Sequence, residues 1–412
     1  MKILVITDHF PPDVEGGYEL RCEEACNWLH NKNYEIRVLT IENDKINDNH
    51  KYHVKRKLKK YADGSTPKNW NIIIRYFNAV RDNYIFRKEV NNFKPDYLYL
   101  WRCQGISRSL IPELFNSQIQ TKVDMCDTWL KKVSTEHGPI YGFLQRETES
   151  KWKGYLKYIV LKSLPFLSLG YLRKNYSMDV KSTDGVFCSS YVKQFHLESF
   201  IECEHFEVVN TGVNQKLFFY KEKIIDDCDI LSLLYVGALT KEKGIFFLLE
   251  LLRNIKEYTN KKIILNMVGK FSNKDEKQQF LRLLETPLAN VDINIEGFVN
   301  RNKLYHYYHN AHFTIIPTLW DEPFSRVPLE SMACGTPCIA TVTTGLNDLI
   351  KVKAPLLLLK KEDERSLGKV LSPFSDLKEN YSKLCLNSNN FIQENYTFNH
   401  YMDKISNKFF SI

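Results

Sequence analysis

Residues 313–341 read FTIIPTLWDEPFSRVPLESMACGTPCIAT. Phe313–Pro317 is a short apolar run with two isoleucines, the pattern of a strand covered on both faces. Arg326–Cys334 reads as a helix. Pro328 stands in its first turn, where an amide hydrogen has no intrahelical partner to lose, and Gly335 closes the other end. Cys338–Thr341 is a second strand. A strand, a helix and a strand in that order make a crossover unit, and crossovers join parallel strands. The stretch therefore places the chain among α/β proteins.

The same alternation runs outward from it. Upstream, Leu231–Gly237 is a strand, and Gly244–Tyr258 a helix with Phe247, Leu248, Leu251, Leu252 and Ile255 on one face. Lys262–Val268 and Val291–Glu296 are strands, and Leu304–Ala311 is a helix. A separate series opens the chain. Lys2–Thr7 is a strand and His9–Gly17 a Pro/Gly loop. Leu20–Asn31 is a helix whose Leu20, Ala25, Trp28 and Leu29 face inward, and Glu35–Thr40 is the next strand. Asp96–Leu100, after a helix ending near Phe93, then Val123–Cys126 and Gly185–Ser189 continue the series. Two such series joined near residue 215 predict two Rossmann-like βαβ domains facing an interdomain cleft, residues 1–214 and 215–395. No internal repeat or low-complexity segment is present. Phe398–Phe410 forms an amphipathic helix with Tyr401, Ile405 and Phe409 spaced to pack.

Composition agrees with this size class. The chain has 412 residues, 43% hydrophobic and 26% charged, which suits two ordinary globular domains and excludes a disordered chain. The opening MKILVITDHF has too short an apolar run for a secretory signal, and no run approaches a membrane span. A cytoplasmic protein is expected. The ten cysteines include no C-x-x-C pair, so reduced core thiols are expected rather than a disulfide framework or a zinc site.

The formal net charge of +8 is unevenly spread. Lys51, Lys55, Arg56, Lys57, Lys59 and Lys60 crowd one stretch, and Lys151, Lys153, Lys157, Lys162, Arg173 and Lys174 punctuate another. Such patches suit nucleic acid or an anionic membrane surface. Peripheral contact with an anionic membrane is expected, and no nucleic acid partner. The segment from Trp152, WKGYLKYIVLKSLPFLSLGYLRKNY, is aromatic, basic and free of acids. It reads either as an inserted helical pair covering the first domain or as an interfacial patch held at lipid headgroups.

The chemistry concentrates between residues 321 and 337. Glu322 lies in the loop after a strand, and Glu330 eight positions on, one turn inside the next helix. Amides at that helix start attract a diphosphate. A carboxylate in the helix can accept both hydroxyls of a ribose, and the loop carboxylate can reach a hydroxyl of an attached sugar, each contact contributing about 1.5–3 kcal/mol. Lys243, at another strand–loop–helix junction, is placed to cradle the same diphosphate. Gly16 and Gly17 follow the first strand; they serve a turn, or they let the backbone approach a ligand. They form no G-x-G-x-x-G, which disfavours a nicotinamide cofactor. Asp227-Cys228-Asp229 is a D-x-D of the kind that holds metals, but among its neighbouring charges it reads as a solvated turn.

The run EPFSRVPLESMACGTP resembles the E-x7-E signature of retaining glycosyltransferases of the GT-B fold, in the large family 4. DHFPPDVEGGYE is similar to that family's N-terminal glycine loop, VVNTGVNQKLF to its linker motif, and LYVGALTKEKG to its strand–loop–lysine-glycine element. GFVNRNKLYHYYHNAHFTIIPTLWDEPF is similar to the stretch leading into the signature. The resemblance implies that Glu330 binds the ribose and Glu322 the donor sugar. Its usual arginine is Ala238 here, so Lys241 or Arg326 takes that cation's place. Where relatives carry a histidine-aspartate pair this chain has Cys126 and Asp127; Asp127 either faces the acceptor or caps the next helix. Gly297–Val299 is expected to meet the base, with uridine favoured.

The implied catalytic residues are Glu322, Asp127 and Lys243. The implied donor-binding set is Gly16, Gly17, Gly237, Lys241, Lys243, Phe298, Val299, Glu322, Phe324, Ser325, Arg326, Val327 and Glu330. The implied activity is metal-independent, retaining transfer of a hexose from a nucleotide sugar, a UDP-sugar being favoured. The acceptor is a glycan or lipid-linked molecule in the synthesis of surface polysaccharide such as lipopolysaccharide, or of glycolipid. A sugar-nucleotide epimerase and a catalytically impaired partner subunit are the alternatives. The resemblance also implies that the last helix, 396–412, packs back on the first domain.

Overall fold

The computed structural model describes residues 1–60, 72–107, 109–131, 155, 180–199, 201–223, 229–374 and 379–410. They fall into two compact units. The first holds Met1–Cys188, Val192–Val208 and Ser406–Ile412, and the second Ser189–Tyr191 and Val209–Ile405. The division thus comes at Val208 and inside the last helix, where the sequence pattern suggested 214 and 395.

The first unit is built on seven strands: β1 Lys2–Ile6, β2 Glu35–Ile41, β3 His53–Leu58, β4 Tyr97–Leu100, β5 Gln120–Met125, β6 Asp184–Phe187 and β7 Phe206–Val208. They pair in the order β3-β2-β1-β4-β5-β6-β7, parallel throughout. Ile3 to Ile6 of β1 are wholly buried, as a central strand covered on both faces requires. The helix Gly17–Asn31 starts three residues before the expected Leu20, because Glu19 turns back to accept the Gly16 amide at 2.9 Å. Its inner face is Cys22, Ala25, Cys26 and Leu29; Leu20 and Trp28, expected inside, are only half-buried.

The basic run around Lys55 falls on and beside the edge strand β3, and four of its charges are matched. Lys55 pairs with Glu89 at 2.7 Å, Arg56 with Asp48 at 2.8 Å, Lys59 with Glu42 and Lys60 with Glu15 at 3.3 Å. A charged edge also resists pairing with another chain.

The second unit has six strands: β8 Ile230–Val236, β9 Lys262–Val268, β10 Val291–Gly297, β11 Phe313–Ile316, β12 Cys338–Thr341 and β13 Leu356–Leu359. Their order is β10-β9-β8-β11-β12-β13, again parallel. The unit quoted at the outset folds as read. β11 and β12 pair from Thr314 to Cys338, with the helix Val327–Ala333 between them in sequence. Gly335, at φ +78°, ends that helix: its amide reaches Met332 O and the next amide reaches Ser331 O, both at 3.0 Å. Ser331 Oγ fastens the helix to β11 through Thr314 Oγ1 at 2.7 Å. The expected helix from Gly244 to Tyr258 is instead Ile245–Arg253 followed by a 3-10 turn at Ile255–Glu257.

The last helix spans Phe398–Phe410, with Tyr401, Ile405 and Phe409 buried as its spacing predicted. Within the first unit, Phe409 and Phe410 lie edge-on to Tyr99 at 5.8 Å, and Phe410 also meets Tyr97 at 5.3 Å. All nine described cysteines are free thiols, eight of them buried. Among the described residues no helix is long and apolar enough to cross a membrane. The basic aromatic segment read from Trp152 lies outside the described residues apart from Tyr155, as do Asp227 and Cys228 of the D-x-D.

Candidate functional site

Sheets wound in this order bind ligands beyond the carboxyl ends of the strands where the order reverses. In the second unit the reversal lies between β8 and β11. The loops leaving those two strands are held together. The Leu319 amide donates to Glu242 O at 3.0 Å, and Gly244 at φ +78° lies so close to Pro317 that a Cβ would sit 1.8 Å from its carbonyl oxygen. Only glycine allows that approach. It delivers Lys243 to Glu322: Nζ lies 2.5 Å from Oε2, and also 5.3 Å from the Trp320 ring centre. Glu322 is 6% exposed. Gly345 backs it, since a Cβ there would come within 2.9 Å of Glu322 Cγ.

Glu330, also 6% exposed, is gripped from two sides. Tyr308 donates its hydroxyl to Oε2 at 3.2 Å, while Arg301 and Arg326 lie 3.5 and 3.6 Å from Oε1. Burial and then the Glu330 charge raise the Tyr308 hydroxyl well above its usual range, so it stays a donor. Lys243, Glu322, Arg326 and Glu330 thus stand on the loops and helix that leave the reversal.

The other expected donor residues are distributed around them. Ser325 is buried, and Phe324, Val327 and Val299 pack partly buried against one core cluster. Gly237, at φ +151°, ends β8, and its carbonyl oxygen lies 1.7 Å from where a Cβ of Gly269 would be. Phe298 is 69% exposed, with the Lys270 ammonium 4.8 Å over its ring. Lys241 is exposed, and its amide donates to Glu276. The sequence pattern gave no sign of Tyr308 or Arg301. Tyr308 stood in a run of rings, YHYYH, where helical spacing marks core and says nothing of a hydroxyl's partner.

Gly16, Gly17 and Asp127 belong to the first unit, whose strand order reverses between β1 and β4. The loops there meet at Arg102. Its Nη1 donates to Glu15 at 3.0 Å and Glu19 at 3.1 Å, and its Nε lies 3.4 Å from Asp8 and 3.8 Å from Asp127. Burial pushes the Asp8 carboxyl up to about 6 despite Arg102. Asp127 does cap: its Oδ1 accepts the Trp129 amide at 2.9 Å. Neither Gly16 nor Gly17 has a positive φ, so no left-handed backbone calls for glycine at these positions. A Cβ at Gly16 would meet nothing nearer than Glu19 Oε2 at 3.9 Å. Arg21 donates to Asp124 Oδ1 at 2.8 Å and to Cys126, the residue in the histidine's place.

Residues 221–389 match the family model described as glycosyl transferases group 1. That segment is a glycosyltransferase group 1 domain. An uncharacterised glycosyltransferase of Methanocaldococcus jannaschii is 32% identical over 143 residues, 35% of each chain. A second from that organism is 23% identical over 97% of this chain and 95% of its own. The lipopolysaccharide 1,2-N-acetylglucosaminetransferase of Salmonella typhimurium is 26% identical over 30% of this chain and 33% of its own. The first curated relatives are matched over only 33% to 59% of their length. Among solved structures, HepE of Anabaena in complex with UDP and glucose is similar over all of both chains, with TM-score 0.66 and 14% identity. The fold is thus the GT-B type, two parallel-sheet Rossmann-like units.

Proposed function

We propose that the chain is a retaining glycosyltransferase of family 4, moving a sugar from a nucleoside-diphosphate sugar, a UDP-sugar by preference, to a glycan or lipid-linked acceptor in surface polysaccharide or glycolipid synthesis. One observation carries this reading: Lys243 paired to Glu322, and Glu330 held by the Tyr308 hydroxyl and two guanidiniums, all beyond the ends of β8 and β11. The likeness to a protein that holds UDP and glucose, and to a lipopolysaccharide transferase, supports it.

In this reading Glu330 accepts the ribose hydroxyls and Glu322 a hydroxyl of the transferred sugar. Lys243 leaves Glu322 for the diphosphate, and the first-turn amides of the helix from Val327 assist. The bond from the anomeric carbon to the diphosphate oxygen breaks with both electrons on oxygen. The acceptor oxygen joins the same face of that carbon, and its proton passes to the departing phosphate. Positive charge aimed at that phosphate stabilises the transition state by about 3–4 kcal/mol per well-placed donor. The reading needs no metal ion and no enzymic base.

The test is a panel of UDP-, GDP- and ADP-sugars with free nucleotide measured. Slow release is the expected outcome; a changed sugar stereocentre would mean an epimerase, and binding without turnover a partner subunit. Glu330→Gln is expected to weaken nucleotide binding at least tenfold by calorimetry with unfolding temperature kept, and unchanged affinity would remove the ribose role.

A further inference from the structure

We infer that Tyr308 is the positioning residue that orients the Glu330 carboxylate, and that it thereby sets the preference for a ribose over a 2′-deoxyribose. The inference rests on the ribose role proposed for Glu330 and adds to it a residue that touches no ligand.

A carboxylate on a glutamate turns easily about its last side-chain bond. To accept two neighbouring hydroxyls at once it must stop turning, with one oxygen facing each. The structure stops it. Tyr308 donates to Oε2 at 3.2 Å, and the two guanidiniums stand at Oε1, 3.5 and 3.6 Å away. Each carboxylate oxygen has two lone-pair sites. One hydrogen bond on each, from Tyr308 to Oε2 and from Arg301 to Oε1, fixes the plane and leaves an acceptor site per oxygen, the pair a vicinal diol needs; Arg326 stands beside Oε1 as an ion pair at 3.6 Å.

The hydroxyl can impose that orientation because it is itself immobile. The Tyr308 ring is fully buried and edge-on to Phe218 at 5.8 Å. Its backbone carbonyl accepts from Lys223 Nζ at 2.8 Å and from Thr336 Oγ1 at 2.6 Å. Lys223 also donates to His309 O and Ala311 O, at 2.6 and 2.8 Å, and so closes the end of the helix Leu304–Asn310. Thr336 lies just past the helix that carries Glu330. The oxygen that orients the carboxylate is thus fixed to the backbone around that carboxylate. The ion pairs of the two arginines fall on the other oxygen, at longer range.

The experiment compares wild type with Tyr308→Phe, which keeps the ring and removes one oxygen. Calorimetry is run with UDP, GDP and ADP, and the tightest binder is then set against its 2′-deoxy analogue. Tyr308→Phe is expected to weaken the ribonucleotide about tenfold and the 2′-deoxy analogue much less, so the ratio of the two constants falls. In turnover, KM for the donor should rise while kcat stays. Equal weakening of both nucleotides, or an unchanged ratio, would overturn the inference, because loosened packing alone does not move that ratio. In the Glu330→Gln background Tyr308→Phe should change the ratio no further; an added loss there would overturn it as well. If Glu330→Gln itself leaves the ratio untouched, the ribose reading of the site fails. If only Tyr308→Phe leaves it untouched, that reading stands and the positioning role falls.

Discussion

Asp82 is buried in the first unit, and both of its oxygens accept the Lys59 amide, at 3.2 and 3.3 Å. Those contacts do not offset desolvation, and the carboxyl is pushed up to about 7. An acid whose folded value is raised stabilises the fold fully below its unfolded value near 4 and loses that contribution as pH rises through about 7. Asp82→Asn, which stays neutral and keeps an acceptor for Lys59, should therefore be the more stable protein at pH 8, by up to about 3 kcal/mol. The gain should fade by pH 4. Unfolding temperatures of the two proteins across that range check it, and a constant gap would contradict it. Such residues leave no mark in sequence, since burial depends on the fold around them. Glu322 and Glu330 were legible because each sits at a fixed place relative to a strand and a helix.

Among elements, the strands buried on both faces were legible and the edges were not. Val291–Gly297 apart, the edge strands escaped: β3 reads HVKRKL and looks like a charge cluster because an edge has one neighbour and its side chains answer to solvent, β7 is only three residues long, and β13 reads LLLL, a short apolar run that periodicity alone does not assign. Glycines separate into two physical kinds. At Gly345 an added Cβ would lie 2.4 Å from Glu322 O, with backbone that is not free to shift. Gly345→Ala should displace the Glu322 loop, cost about 1–3 kcal/mol, and lower turnover. At Gly16 the backbone is extended, at φ −164°, and the space is open. Gly16→Ala should leave unfolding within about 0.5 kcal/mol of wild type, yet impair transfer if the loop receives a ligand. Parallel unfolding and nucleotide-release assays on the two variants distinguish these outcomes; full activity of Gly16→Ala would return that loop to a plain connection.

For the whole molecule, the surplus of +8 is not concentrated at β3, because four of the basic side chains on and just after that strand are matched by acids. A membrane-facing role therefore rests on the second basic stretch. Replacing Lys151, Lys153 and Lys157 by Glu should lower co-sedimentation with vesicles rich in anionic lipid, more so at low salt. Unaltered partitioning would set the membrane contact aside. The two-sheet architecture was legible from the alternation of strands and helices; the boundary between the compact units falls inside a helix that looks continuous, which the pattern of elements does not mark. That helix has a consequence for biosynthesis. Phe409 and Phe410 complete the aromatic cluster around Tyr97 and Tyr99, yet they leave the ribosome about 310 residues after the strand they cover, a delay of roughly 15–60 s. Through that interval the nascent first unit shows bare rings to its surroundings, a surface that holding chaperones would recognise and that the final residues withdraw.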